Sequence, residues 1–248
     1  MTARRSLDDA PVVVGVDGSR SALNAVCWAR LEAISRDVVL RLVHAVPALA
    51  GGCDAALTHA ERTATATPHP LRVEVASVIG TPGEVLLRES QNAAMVCIGS
   101  KSIRAMDGTS IGPTAKALAA AARCPVAIIR TRPDGTPQTD GVVAVVLSDE
   151  DGNDEAVHLA MHEGRLRHAT VRQIDQRVTS WVRRYPDVHV EMVAAGTGRQ
   201  YDRRALTDDG VGLAVVGPRD AVELADVTSP NCHPILGYPD CSVLLVRA

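Results

Sequence analysis

One feature constrains this chain above all: apolar runs alternate with helical runs, and halfway along the alternation starts again. "VVVGV" (residues 12–16) is β-branched and short, which predicts a strand. "DGS" ends it, and Ser19 or Ser21 can cap the helical run "ALNAVCWARLEAIS". Residues 38–46, "VVLRLVHAV", predict a second strand, and a weakly helical stretch follows. "LRVEVASVI" (residues 71–79) predicts a third strand, with "GTPGEVLLRESQN" after it as turn and helix. "AAMVCIG" is a fourth strand, "TAKALAAAA" a helix, and "PVAIIR" (residues 125–130) a fifth strand. Strands alternating with helices demand a parallel sheet covered on both faces. Their largely unbroken apolar character suits central parallel strands.

"TRPDGTPQTDG" (residues 131–141) has almost nothing to bury and reads as a linker. After it the landmarks return in order. "VVAVVLSDEDG" matches the first strand and turn, and "EAVHLA" matches "NAVCWA" in the first helix. "DVHVEMVAAG", "VGLAVVGP" and "PDCSVLLVR" match the third, fourth and fifth strands. This is an internal duplication. It predicts two domains, residues 1–135 and residues 136–248, the second shortened and degenerate. The first 135 residues carry 15 basic and 12 acidic side chains, the remainder 11 and 17.

Composition excludes several functions. The net charge is -3 and aromatic residues make up 2%, with no Phe, so neither phosphate attraction nor base stacking supports nucleic-acid binding. No apolar run reaches the roughly 18 residues of a membrane span, and "MTARRSLDDAP" lacks the apolar segment of a leader. The expected location is cytoplasmic. The six cysteines form no Cys-x-x-Cys and no zinc spacing. They read as structural thiols, with a redox switch as the alternative, and no metal is expected.

Several stretches resemble the universal stress protein family in its tandem two-domain form: "VVVGVDGS", "LRLVHAVP", "VIGTPGEVLL" and "CIGSKS…GTSIGPT…ARCPVAIIR". The resemblance covers most of the chain and implies an α/β fold of two Rossmann-like, adenine nucleotide alpha hydrolase-like domains. Each would carry a five-stranded parallel sheet of order 3-2-1-4-5. It also implies that the two fifth strands pair in a pseudo-dimer, with a further homodimer open, and that the protein acts in stress adaptation and signalling through a protein partner the sequence does not name.

ATP-binding members of that family carry Gly, two residues, Gly, nine residues, Gly, then Ser or Thr. Glycines let backbone N–H groups approach phosphate, and the last pair opens a helix whose amides favour an anion. Gly99 and Gly112 fit, but Ser102 stands at the second glycine and Pro113 at the Ser/Thr position, with Thr114 one step late. Ser102 adds a Cβ and Pro113 removes an N–H. Lys101 and Arg104 offer charge in return. The resemblance places an adenine nucleotide, ATP, on Asp17, Ala45, Gly99, Ser100, Lys101, Gly112 and Thr114. The second half has Ser148 in place of Asp17 and no glycine between Gly217 and Gly237, so a phosphate cradle is not expected there. Three readings stay open: a non-enzymatic nucleotide-binding module, a weak ATP hydrolase using Asp17 or Asp107, and a ligand-free interaction scaffold.

Other constellations read as structural. His44 ends a predicted strand and is expected half-buried and fixed by a backbone bond. His158 and His162 share a helix face, expected to be solvated. The acidic "SDEDGND" lacks the glutamate spacing of a calcium loop.

Overall fold

The structure, a computed structural model, describes residues 9–48, 54–101, 112–146, 153–174, 187–193, 211–217 and 241–247. It divides into two compact units, with the boundary after Pro137. The acidic segment 148–152, the aromatic segment 181–186, Cys53, Cys232, Ser102, Arg104 and Asp107 lie outside the described residues.

The first unit contains β1 (Val12–Val16), α1 (Arg20–Ser35), β2 (Leu40–Val46), α2 (Ala55–Thr65), β3 (Val73–Ile79), α3 (Pro82–Glu89), β4 (Met95–Lys101), α4 (Pro113–Ala121) and β5 (Val126–Thr131). Its strands are parallel in the order β3-β2-β1-β4-β5. The chain steps one way from β1 to β3 and the other way from β3 to β5. Right-handed crossovers therefore put α1 and α2 on one face, α3 and α4 on the other. Accordingly, α1 packs beside α2 and α3 beside α4. The core is aliphatic: Val12, Val13, Val14, Leu40, Leu42, Met95, Val96 and Ile129 are buried under Ala25, Ala29, Leu118 and Ala119 of the helices.

Local chemistry starts the helices where expected. Ser19, not Ser21, caps α1: its Oγ accepts from the Ala22 N–H at 3.1 Å, while Ser21 is buried inside the helix. Thr81 and Glu84 form a reciprocal capping box that opens α3, with Pro82 at the first helical position. The second strand begins at Leu40 and the third at Val73, each two residues later than their apolar runs suggest.

The second unit contains β6 (Val142–Val146), α5 (Asn153–Arg167), β7 (Val171–Ile174), β8 (Val190–Val193), β9 (Val211–Val216) and β10 (Ser242–Leu245). Its strands are parallel in the order β8-β7-β6-β9-β10, the same 3-2-1-4-5 arrangement. The shortened half thus keeps five strands. The additional strand relative to the sequence reading is β7, whose "VRQI" offers only two apolar residues. Between β6 and β9 the register slips by one at Val142/Val143, and Gly212 is the extra residue. A Cβ there would lie 2.4 Å from the Asp140 carbonyl oxygen, so the bulge requires glycine.

The repeat is imprinted in detail. Glu32 of α1 and Glu163 of α5 are both fully buried, and each pairs one turn on with an arginine, Arg36 at 3.2 Å and Arg167 at 2.7 Å. Both helices end on a left-handed residue, Asp37 (φ 52°) and His168 (φ 53°). Among the described residues no helix is long and apolar enough to cross a membrane.

Candidate functional site

The crevice of the first unit follows from where strand pairing stops. β1 pairs with β4 only as far as Val14–Cys97. Yet β1 continues beside β2 to Val16–His44, and β4 continues beside β5 to Lys101–Thr131. The carboxyl ends of β1 and β4 therefore splay apart at the point where the strand order reverses. Open α/β sheets bind ligands at this switch point.

Four of the residues expected from the sequence flank that opening. Asp17 follows β1 and is exposed; its Oδ1 accepts from the Ser19 N–H at 2.9 Å, and its other oxygen has no partner among the described residues. Gly99, Ser100 and Lys101 form the end of β4, with Lys101 exposed. Gly99 has a structural duty of its own. A Cβ on it would lie 2.1 Å from the carbonyl carbon and oxygen of Ser21, because α1 begins directly over the strand.

Ala45 is half-buried on β2. The Val46 carbonyl accepts from the Gly80 N–H on the β3 side, so strand alternation turns the N–H and C=O of Ala45 toward β1, whose last strand residue is Val16. Gly112 is the exposed N-cap of α4 and makes no side-chain cap bond; Pro113 and Thr114 are the first two helical residues. Pro113 lacks an N–H, and the Lys116 N–H is spent on the Gly112 carbonyl, so the amides of Thr114 and Ala115 are the ones the first turn can offer a ligand. Gly112 has φ -58°, and no described atom lies within 4 Å of where its Cβ would be. Among the described residues nothing gives a steric reason for glycine at this position.

A cluster beside the crevice was not legible as such in the sequence. His44 is indeed half-buried, but its partner is a side chain and not the backbone: Nδ1 lies 2.7 Å from Asp54 Oδ2. Ser77 on β3 donates to the same oxygen at 2.8 Å, and Oδ1 accepts from the N–H groups of Ala56 and Leu57 as the N-cap of α2. Partial burial pushes the Asp54 carboxyl upward. The hydrogen bonds from His44, Ser77 and Leu57 outweigh that and hold it below the usual carboxylate range. The sequence signal was an Asp immediately before a helical run; the juxtaposition with Ser77 needs the β2–β3 register, which pairs His44 with Ser77.

His158 is exposed and His162 half-buried on α5. Cys97, Cys124 and Cys241 are buried and Cys27 is half-buried.

Fold and crevice together define a doubly wound α/β protein duplicated in tandem, with a crevice at the switch point of its first sheet. The description "Universal stress protein family" matches residues 10–130. Universal stress protein Rv2624c of Mycobacterium tuberculosis is 34% identical over 95% of this chain and 96% of its own. The chain belongs to the universal stress protein family, in the tandem form. A universal stress protein structure from Archaeoglobus fulgidus shares the fold over 96% of this chain and 98% of its own, at 11% identity and a TM-score of 0.59. A universal stress protein crystallised in complex with cAMP is 27% identical, covering 49% of this chain and 96% of its own at a TM-score of 0.43.

Proposed function

We propose that this universal stress protein binds an adenine nucleotide, ATP foremost, in the crevice of its first unit and acts as a nucleotide-responsive, non-enzymatic module in stress adaptation. The observation that carries this reading is the splaying of β1 from β4 beyond Val14–Cys97, with an Asp17 carboxylate oxygen that no described residue engages at its mouth. A carboxylate there accepts from ribose hydroxyls. The backbone of Ala45 meets the base end, and the amides of Thr114 and Ala115 with the charge of Lys101 meet the phosphates. Gly112 fits the same reading, since close approach of a phosphate favours glycine where no described residue demands it. Its neighbour Pro113 removes one amide from the cradle, which weakens the phosphate end relative to the base end. The second unit serves as a structural partner, and the protein works in the cytoplasm.

The test is calorimetric titration of the full chain with ATP and AMP, with phosphate release followed in parallel. Saturable binding that is lost in Asp17→Ala and Gly112→Val supports the reading. No heat at millimolar nucleotide leaves the interaction scaffold. Phosphate release above background that disappears in the same variants identifies a hydrolase.

A further inference from the structure

Among the described residues, one polar atom of the cluster around Asp54 is left unspent. The Asp54 carboxylate is saturated: Oδ2 takes His44 Nδ1 and the Ser77 hydroxyl, and Oδ1 takes two backbone N–H groups. The Ser77 proton is committed to it. An ionised carboxylate only accepts, so Nδ1 of the neutral imidazole must carry the proton. Nε2 is then a lone pair, without a protein partner among the described residues, on a ring whose orientation a carboxylate has fixed.

The cluster also borders the crevice. His44 stands in register with Val16, the residue before Asp17, and next in the chain to Ala45. The first turn of α2 touches the β1–α1 turn: a Cβ on Gly18 would lie 3.5 Å from the Ala56 Cβ. The His44 ring is thus held at the end of β2, next in the chain to Ala45, while the Asp17 oxygen that has no partner among the described residues stands after the end of β1.

We propose that His44 is a specificity-determining residue of the nucleotide site, its Nε2 lone pair accepting from the 6-amino group of adenine and disfavouring 6-oxopurines. The inference rests on the nucleotide-binding reading above and adds the base discrimination to it. A 6-oxopurine presents a carbonyl to a lone pair, losing the hydrogen bond and facing two acceptors toward each other. Asp54 and Ser77 are positioning residues, acting through the ring they hold.

The test compares AMP with IMP, and ATP with ITP, by calorimetry on the full chain and on His44→Leu, His44→Gln and Ser77→Ala. The unmodified protein should prefer the 6-amino nucleotides by about tenfold, the worth of one hydrogen bond. His44→Leu should bind both purines alike. His44→Gln, whose amide oxygen reaches about as far as Nε2, should recover the preference, which a merely structural role for His44 would not produce. On the unmodified protein, the 15N resonances of the His44 ring should report an Nδ1–H tautomer, with Nε2 moving on AMP addition. A preference unchanged in His44→Leu, or an Nε2–H tautomer, overturns the inference and leaves nucleotide binding standing. Failure of the unmodified protein to bind any adenine nucleotide overturns both.

Discussion

A methyl group on Gly99 would sit 2.1 Å from the backbone carbonyl of Ser21, closer than any Cβ can approach another atom. Gly99 is the first glycine of the nucleotide-type pattern, yet its identity is dictated by the helix lying across β4. Gly99→Ala should therefore lower the stability of the first unit by about 3 kcal/mol or more, because the clash is with backbone on both sides and no side chain can yield. The loss should be the same without nucleotide, read as a shift of the urea unfolding transition.

Gly112 is the opposite case. An added Cβ meets no described atom, and φ -58° suits any residue. Gly112→Ala should leave stability within about 0.5 kcal/mol of the parent, as for surface positions without special geometry. Its nucleotide affinity should nevertheless fall. The two glycines, matched by one pattern, should separate into a folding residue and a binding residue when unfolding and calorimetry are measured on the same two variants.

This contrast shows what the sequence could carry. The alternation of strands and helices, the duplication and the cap of α1 follow from residue patterns, because β-branched runs and a Ser before an apolar helix act locally, whereas the strand order comes with the family resemblance. The strand at Val171–Ile174 did not, since its polar Arg172 and Gln173 hide a short edge-ward strand that only its neighbours define. Nor did the duty of Gly99 or the Asp54 cluster, because each depends on which residues three separate elements bring together. The seven site residues were placed by resemblance. Four of them surround one opening, but the segment joining Lys101 to Gly112 lies outside the described residues.

Asp37 and His168 end equivalent helices in the left-handed region, each donating its N–H three residues back while the next residue donates five back. This is the Schellman arrangement, which glycine fills without a Cβ penalty. Asp37→Gly and His168→Gly should each stabilise their own unit by about 0.5–1 kcal/mol, the relieved left-handed strain less the added freedom of the unfolded chain. Thermal unfolding checks this. A gain in one unit without the other would mean the two caps are not equivalent despite their matching dihedrals.

Asp54 supplies the pH dependence. Its folded-state pKa lies below its ordinary value, so its hydrogen bonds contribute stability that is fully present above the unfolded-state value and is lost as pH falls through the depressed one. The relevant window is below about pH 4. In Asp54→Asn the cap oxygen remains as a weaker, uncharged acceptor for Ala56 and Leu57, and the titration disappears. The variant should be less stable at neutral pH, and its urea midpoint should fall less steeply than the parent's as acid is added below that point. Ser77→Ala removes one of the bonds that hold the carboxyl down and should shift the parent's curve part of the way toward that of Asp54→Asn. Parallel acid slopes for parent and Asp54→Asn would show that the carboxylate does not anchor α2 to β2 and β3.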